Sequence, residues 1–483
     1  MAESKLEHKV AKGVAWSFSE KFLSMVVQMV VSIVVARQLA PADFGVMAIM
    51  TFFTSVALAI VDSGFSQTLI RKSNPTEEEY HSVFIFNIVV SVILYGVLTA
   101  AAYPLASLYD SPAIWTIAPV LFLVLPINSL CVVQTVMYTR EFRFALLSKI
   151  VFISSLISGV VAVVMAVIGC GIWSLVAQRL LMMGIKAVAF WYIRRWRTTA
   201  RFSIAAIRTM TPFSLRLLAT DLIASLYNNV AQLFIGKMHT TSTLGFYSQA
   251  QKLKDLPVTS TVQAVQGVTY PALSKIADDE VKFSDGYIRI MRLLGFVLFP
   301  VMLGFIAIAH DMFYLLLGQK WMPTVPYFEI LALSGIFYPM AIVSYNVLKV
   351  RSDGRIIVRL EIVKRMIMTT ILCYTIPQSV EAVAWGMTAM SAVEFILNTG
   401  VAMRYTTARV TSLLKALLPS LAVATLMFIM LHVVTPHLET LHVALRLVIT
   451  TLLGVATYLG ITAILGFRSL HEMATLTRDI AKK

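Results

Sequence analysis

Long apolar runs, broken by short polar or basic stretches, recur from one end of the chain to the other. A run of roughly 18–25 such residues is long enough to cross ~30 Å of hydrocarbon as a helix. The pattern predicts fourteen membrane-spanning helices, at 14–36, 45–69, 82–107, 114–137, 148–169, 171–192, 212–236, 246–273, 287–310, 327–349, 357–377, 380–402, 415–434 and 441–466. Between the fifth and sixth lie only Gly169, Cys170 and Gly171, a tight turn. The eighth is the most polar and opens SQAQKLKDLP. The predicted fold class is therefore an all-α polytopic membrane protein.

Composition agrees. Of 483 residues, 58% are hydrophobic and 13% charged, too few charges to cover a water-soluble surface. A net charge of +15 would point to nucleic acid in a soluble protein. Here the lysines and arginines gather in the connections, most densely at 192–211 (Arg194, Arg195, Arg197, Arg201, Arg208), so no nucleic-acid partner is implied. Cytoplasmic loops carry the excess of Lys and Arg. Placing both termini in the cytoplasm puts nearly all of them on that side and leaves Arg37, Lys237, Lys320 and Arg446 outside. This bias requires an even number of spans. Basic clusters at the inner face also attract anionic lipids. The opening MAESKLEHKVAKG precedes an apolar stretch with no small-residue cleavage site, which reads as a retained first span. Cys131, Cys170 and Cys373 are scattered, with neither disulfide nor metal spacing.

The chain also repeats. ARQLAPADFGVMAIM (36–50) corresponds to GKMHTTSTLGFYSQA (236–250), aligning Gly45 with Gly245, and TREFRFALLSKI (139–150) to VRSDGRIIVRLE (350–361). Six spans per copy make the two copies parallel, related by a pseudo-twofold axis along the membrane normal, with a central cleft as the substrate path. The organisation expected is a six-helix lobe with its basic connector at 1–200, a second six-helix lobe at 201–410, and an appended helix pair with a tail at 411–483.

Polar residues within spans mark cavities or partners, because an ionisable group in hydrocarbon is costly. The first span carries a stripe of Ser17, Glu20, Ser24, Gln28 and Ser32. The seventh, its repeat equivalent, carries Arg216, Asp221, Asn228, Asn229 and Gln232, so these two polar faces are expected to meet across the cleft. The eighth has Ser248, Lys252, Asp255, Thr259 and Gln263; Lys252 and Asp255 share a face and are placed to neutralise each other. Asp62 lies in the second span and Arg292 near the cytoplasmic end of the ninth. The plainer readings are snorkelling for Glu20 and Arg292, and helix–helix hydrogen bonds for the amides. Arginine and lysine together suit an anionic headgroup, the first as a planar fork and the second as a point charge. No G-x-x-x-x-G-K-[ST], H-E-x-x-H or G-x-S-x-G motif occurs, and no long loop is present to house an enzyme site.

ARQLAPADFGVMAIM, IVDSGFSQTLIRK (60–72) and LGFYSQAQKLKDLPVTSTVQAVQGVTYPALSKI (244–276) resemble the polysaccharide transporter branch of the multidrug/oligosaccharidyl-lipid/polysaccharide exporter superfamily, nearest to colanic acid exporters and lipopolysaccharide biosynthesis flippases. The resemblance implies a bacterial inner-membrane transporter without covalent chemistry. Such transporters move undecaprenyl-pyrophosphate-linked oligosaccharide repeat units outward by alternating access, some coupled to sodium or protons, with a polymerase and a chain-length regulator as functional associates and no cofactor. It implies Arg216, Lys252 and Arg292 as substrate-binding residues, with Asp221 and Asp255 as their partners in the cavity. The polar positions within the spans add Gln28 to the substrate-binding set and Glu20, Asp62 and Asn229 to the cavity or ion-coupling groups. A cation-coupled drug antiporter, favoured by Asp62, Asp221 and Glu394, and a lipid II flippase are the alternatives.

Overall fold

The computed structural model describes residue 23, residues 25–194, residue 196 and residues 200–481. Ser17, Glu20 and Ser24 of the first-span stripe, and Arg195 and Arg197 of the basic connector, lie outside the described residues. Every regular element among the described residues is a helix. Ten are long and apolar enough to cross a membrane, in agreement with a polytopic all-α protein.

The chain divides into two compact units, one ending at Gly245 and one beginning at Phe246. The first holds α1 (Met25–Gln38), α2 (Pro41–Asp62), α3 (Phe65–Arg71), α4 (Glu77–Ala100), α5 (Ala102–Leu108), α6 (Pro112–Leu121), α7 (Val124–Arg140), α8 (Phe144–Val167), α9 (Trp173–Ile193) and α10 (Ile204–Met238). The second holds most of α11 (Thr241–Lys275), then α12 (Glu280–Ala307), α13 (Ala309–Leu317), α14 (Thr324–Arg351), α15 (Gly354–Thr375), α16 (Val380–Ala402), α17 (Val410–Val434), α18 (Val443–Ile464) and α19 (Arg468–Ala481). Helices α10, α11 and α15 are also long but more polar than the ten.

The second predicted span is two helices, broken where Ser63 and Gly64 both take left-handed backbone, with φ of 47° and 71°. The fourth tightens at Phe122 and Leu123, whose backbone stays right-handed helical, so Pro112–Arg140 remains one span. The turn between α8 and α9 forms where expected, with Gly169 and Gly171 at φ of 85° and 54°, a region that penalises a Cβ.

Helix starts are set locally. Thr76 accepts a hydrogen bond from Glu79 N while the Glu79 carboxylate accepts one from Thr76 N, a reciprocal capping box that opens α4. Ser203 and Ser379 cap α10 and α16 in the same way as single acceptors.

Lipid tails are as apolar as leucine, so packing rather than hydrophobicity holds spans together, and small residues let backbones approach. On α8, Ser155, Ser158, Gly159, Ala162 and Ala166 form a buried small stripe. Gln28 of α1 donates to Ser155 Oγ at 3.3 Å, and Val31 fills the space over Gly159. The tightest approach lies at the start of α2. A Cβ on Gly45 would sit 1.8 Å from the carbonyl oxygen of Thr241, and one on Gly245 would sit 1.9 Å from that of Pro41. These two glycines, aligned by the sequence comparison above, thus make a reciprocal backbone contact that a Cβ would block.

In each unit an arginine closes the end of a helix. Arg140, last in α7, donates to the carbonyls of Leu69, Ile70, Lys72 and Ser73. Arg351, last in α14, donates to those of Ala277 and Tyr405 and stacks 4.0 Å above Phe283. Likewise Ser82 Oγ accepts from Ser203 N at 2.9 Å, and Ser284 Oγ accepts from Thr407 N at 2.9 Å.

Candidate functional site

The predicted residues of the first unit lie on α1, α2 and α10. Gln28 is committed to Ser155. Asp62 ends α2 and, across the Ser63–Gly64 break, accepts from the Ser66 hydroxyl and, at 3.4 Å, from Ser66 N in the first turn of α3. Arg216 and Asp221 are both exposed on α10, and their five-residue spacing puts them on different faces. Asn229 donates to Ser225 O at 2.9 Å, a bond within its own helix.

In the second unit Lys252 is exposed on α11. Asp255 lies 2.6 Å from Lys254 Nζ, the neighbour that helical spacing puts on another face. The flexible four-carbon lysine stem bridges that angle, a reach that positional spacing ignores. Arg292 is not open either: its Nη2 donates to Glu472 Oε1 of α19 at 3.0 Å.

Other groups escaped sequence reasoning. Lys364 reads as one more basic residue near a flank, yet it is 3% exposed. Its Nζ lies 2.5 Å from Glu361 and 3.0 Å from Glu394, over the Tyr345 ring at 5.2 Å. Three helices, α14 to α16, thus converge on one buried cation. Asp311 of α13, itself 5% exposed, takes both Nε and Nη2 of Arg446 in α18, a two-pronged pair. The i,i+3 spacing of Glu361 and Lys364 was readable; the partners from other helices were not.

The first unit holds a neutral counterpart. Asn87 of α4 and Gln134 of α7 are 0% and 1% exposed, and neither carboxamide has a protein partner. Ser91 and Ser129 join the same two helices at 3.3 Å. Because α4 and α7 pair at Ser91 and Ser129, an antiparallel register puts Asn87 and Gln134 about one turn along the same seam. Each amide has both donors and acceptors to satisfy, which suits ordered water.

Among the described residues, an apolar and a polar cavity stand out in the second unit. One, of about 360 Å³, lies between α12, α17 and α18 and is lined by apolar groups including Phe296, Pro300, Met427, Leu431 and Leu459. The other, of about 400 Å³, is polar, with Asp278, Glu280, Arg351 and Arg404 at the helix ends. Among the described residues no group of His, Cys, Asp and Glu could hold a metal ion.

Known proteins give this arrangement its context. A family model described as polysaccharide biosynthesis protein matches residues 34–326. The chain belongs to that family. The polysaccharide biosynthesis match covers every helix from α2 to α13 and the start of α14. The chain is 24% identical over 400 residues to an uncharacterised membrane protein of the cps region of Klebsiella pneumoniae, covering 81% of this chain and 82% of that one. It is 25% identical over 331 residues to the succinoglycan biosynthesis transport protein ExoT of Rhizobium meliloti, covering 68% and 67%. In fold it is similar to the inward closed conformation of the lipid II flippase MurJ, with a TM-score of 0.70 and 14% identity over 93% of this chain and 98% of that one.

Proposed function

We propose that this protein flips undecaprenyl-pyrophosphate-linked oligosaccharide repeat units from the cytoplasmic to the periplasmic leaflet of the bacterial inner membrane, for surface polysaccharide assembly. The family match over residues 34–326 carries the reading. The chemistry follows from the substrate's three parts. An anionic, hydroxyl-rich headgroup cannot cross hydrocarbon unpaired, so it needs a polar path with cationic contacts, for which Arg216, Lys252 and Arg292 are the candidates and Gln28 a neutral one. Asp62, Asp221, Asp255, Asn229 and Glu20 remain candidates for shaping the path or for coupling to a sodium or proton gradient. The polyprenyl tail needs only an apolar lateral seat, and the cavity between α12, α17 and α18 has that character.

The finer architecture belongs to the same proposal: fourteen spans, lobes at 1–200 and 201–410, a helix pair at 411–483, and both termini cytoplasmic. The recurrence of the serine-to-backbone bond (Ser82 with Ser203, Ser284 with Thr407) and of the helix-end arginine (Arg140, Arg351) supports a parallel repeat. A polymerase and a chain-length regulator are the associates such a flux requires, and anionic lipids suit the basic connector.

The test is deletion of the gene in its host, with lipid-linked oligosaccharides measured by mass spectrometry beside polymerase-null and initiating-transferase-null controls. A complete repeat unit held on the cytoplasmic leaflet, with loss of polymer and rescue by the intact gene, is the expected result. Unchanged intermediates and polymer, with no second flippase present, would remove the assignment.

A further inference from the structure

Helix α19 is docked, not trailing. Its Leu470 and Met473 pack against the main apolar core of the second unit, and this holds Glu472 against α12 with a side chain only 12% exposed. Three guanidiniums converge on that one carboxylate. Arg289 Nε reaches Oε2 at 3.0 Å, Arg292 Nη2 reaches Oε1 at 3.0 Å, and Arg468 Nε reaches Oε1 at 2.9 Å. Burial alone would raise the Glu472 pKa; the hydrogen bond from Arg289 and the charges of Arg292, Arg289 and Arg468 outweigh it and hold the carboxyl below its ordinary value.

The site is under-filled. Three positive charges meet one negative charge. The Nε and Nη2 of an arginine form one edge suited to two oxygens of the same anion. On Arg292 only Nη2 of that edge is used, and Nε is buried with no hydrogen-bond partner. Glu472 is stretched between two arginines of α12 and completes neither fork. A tetrahedral phosphate has an oxygen for each and charge to spare.

We infer that Glu472 is a built-in stand-in for phosphate: it occupies the Arg289–Arg292 seat in this state and is displaced when the pyrophosphate of the lipid-linked substrate arrives. This rests on the flippase reading for its substrate, and it gives α19 a role as a competing strap. It also explains why Arg292, a candidate for substrate contact, is closed by the protein's own carboxylate.

The test uses the full chain in phosphatidylcholine nanodiscs, titrated with inorganic pyrophosphate. Glu472→Gln keeps the shape and removes the competing charge, and should tighten pyrophosphate binding about tenfold. Glu472→Asp keeps the charge but shortens its reach, and should give a smaller gain. Adding Arg292→Gln to Glu472→Gln should abolish the gain. Equal affinity of wild type and both Glu472 variants would overturn the stand-in. If Arg292→Gln still weakened binding in that case, the anion seat would stand without it. Repeating the titration in phosphatidylglycerol nanodiscs separates the two sources of phosphate. A gain that persists there supports the substrate, and a gain that vanishes overturns that assignment in favour of a lipid headgroup. Vesicle flipping by wild type, measured in parallel, reports the transport reading independently of these outcomes.

Discussion

The two units solve the problem of polar groups in an apolar surround in different ways. The first buries mainly neutral groups: serines that bond back to their own helix, such as Ser154 and Ser158, and two carboxamides, Asn87 and Gln134, with no protein partner; its buried carboxylate, Glu79, sits at a helix start and pairs with the exposed Lys72. The second buries charge in closed sets: Lys364 with Glu361 and Glu394, Asp311 with Arg446, Glu472 with its arginines. A neutral seam can slide or admit water at small cost, whereas a buried ion set has one good arrangement and a large penalty for losing a member. The α4–α7 seam of the first unit can thus tolerate local change, whereas the ion sets of the second hold one geometry until a competing charge arrives.

Removing the central cation should give the largest effect. Lys364→Met leaves Glu361 and Glu394 facing each other without their shared cation, a loss of about 3–5 kcal/mol for a broken buried pair. Thermal unfolding in detergent should show a large drop, with part of it recovered by adding Glu394→Gln, because the two residues act as one set. Additive losses would break the comparison. Next, Gly45→Ala drives a Cβ into the Thr241 carbonyl and should cost at least the ~1–3 kcal/mol of overpacking, in stability or in transport. A neutral result would remove the reciprocal glycine contact from the account.

A smaller effect belongs to pH. The Glu472 pKa in the folded protein lies below its ordinary value of 4.5, so the strap's contribution is complete above 4.5 and is lost as pH falls through the lower folded-state value. Exchange of α19 amides should rise over that acidic window in wild type, with the window absent in Glu472→Gln. Smallest of all, Asn87→Val and Gln134→Leu should change stability by no more than about 1 kcal/mol in either direction, since each removes a polar group that has no partner to strand. A loss as large as that of Lys364→Met would mean the seam is as fixed as the ion sets.

How much was legible follows from what spacing can carry. Period and length reveal helices, so the apolar spans and the Gly169–Gly171 turn were readable. The break at Ser63–Gly64 was not, because hydropathy continues across it while the helical backbone does not. The glycine pair was visible as a repeated motif, but its reason, two backbones in contact, appears only when α2 meets the first turn of α11. Asp62, Arg292 and Asp255 stand out for charge within or beside spans, and each has a partner inside the protein: Ser66 and Lys254 close by in sequence, Glu472 far from Arg292. Glu472 comes from 180 residues away along the chain. Lys364 looked ordinary because Tyr345 and Glu394 reach it from the two flanking helices, beyond what spacing within one helix can show.

The most direct test of the central claim is reconstitution of the purified chain in vesicles with its host's lipid-linked oligosaccharide in both leaflets, followed by a lectin or glycosidase that reaches only the outer face. The account predicts that the protected inner pool becomes accessible in time with protein present, and that a polyprenyl pyrophosphate without sugars or a phosphatidylcholine probe does not follow at the same rate. An inner pool that stays protected, under conditions where the protein is folded and correctly inserted, would contradict it.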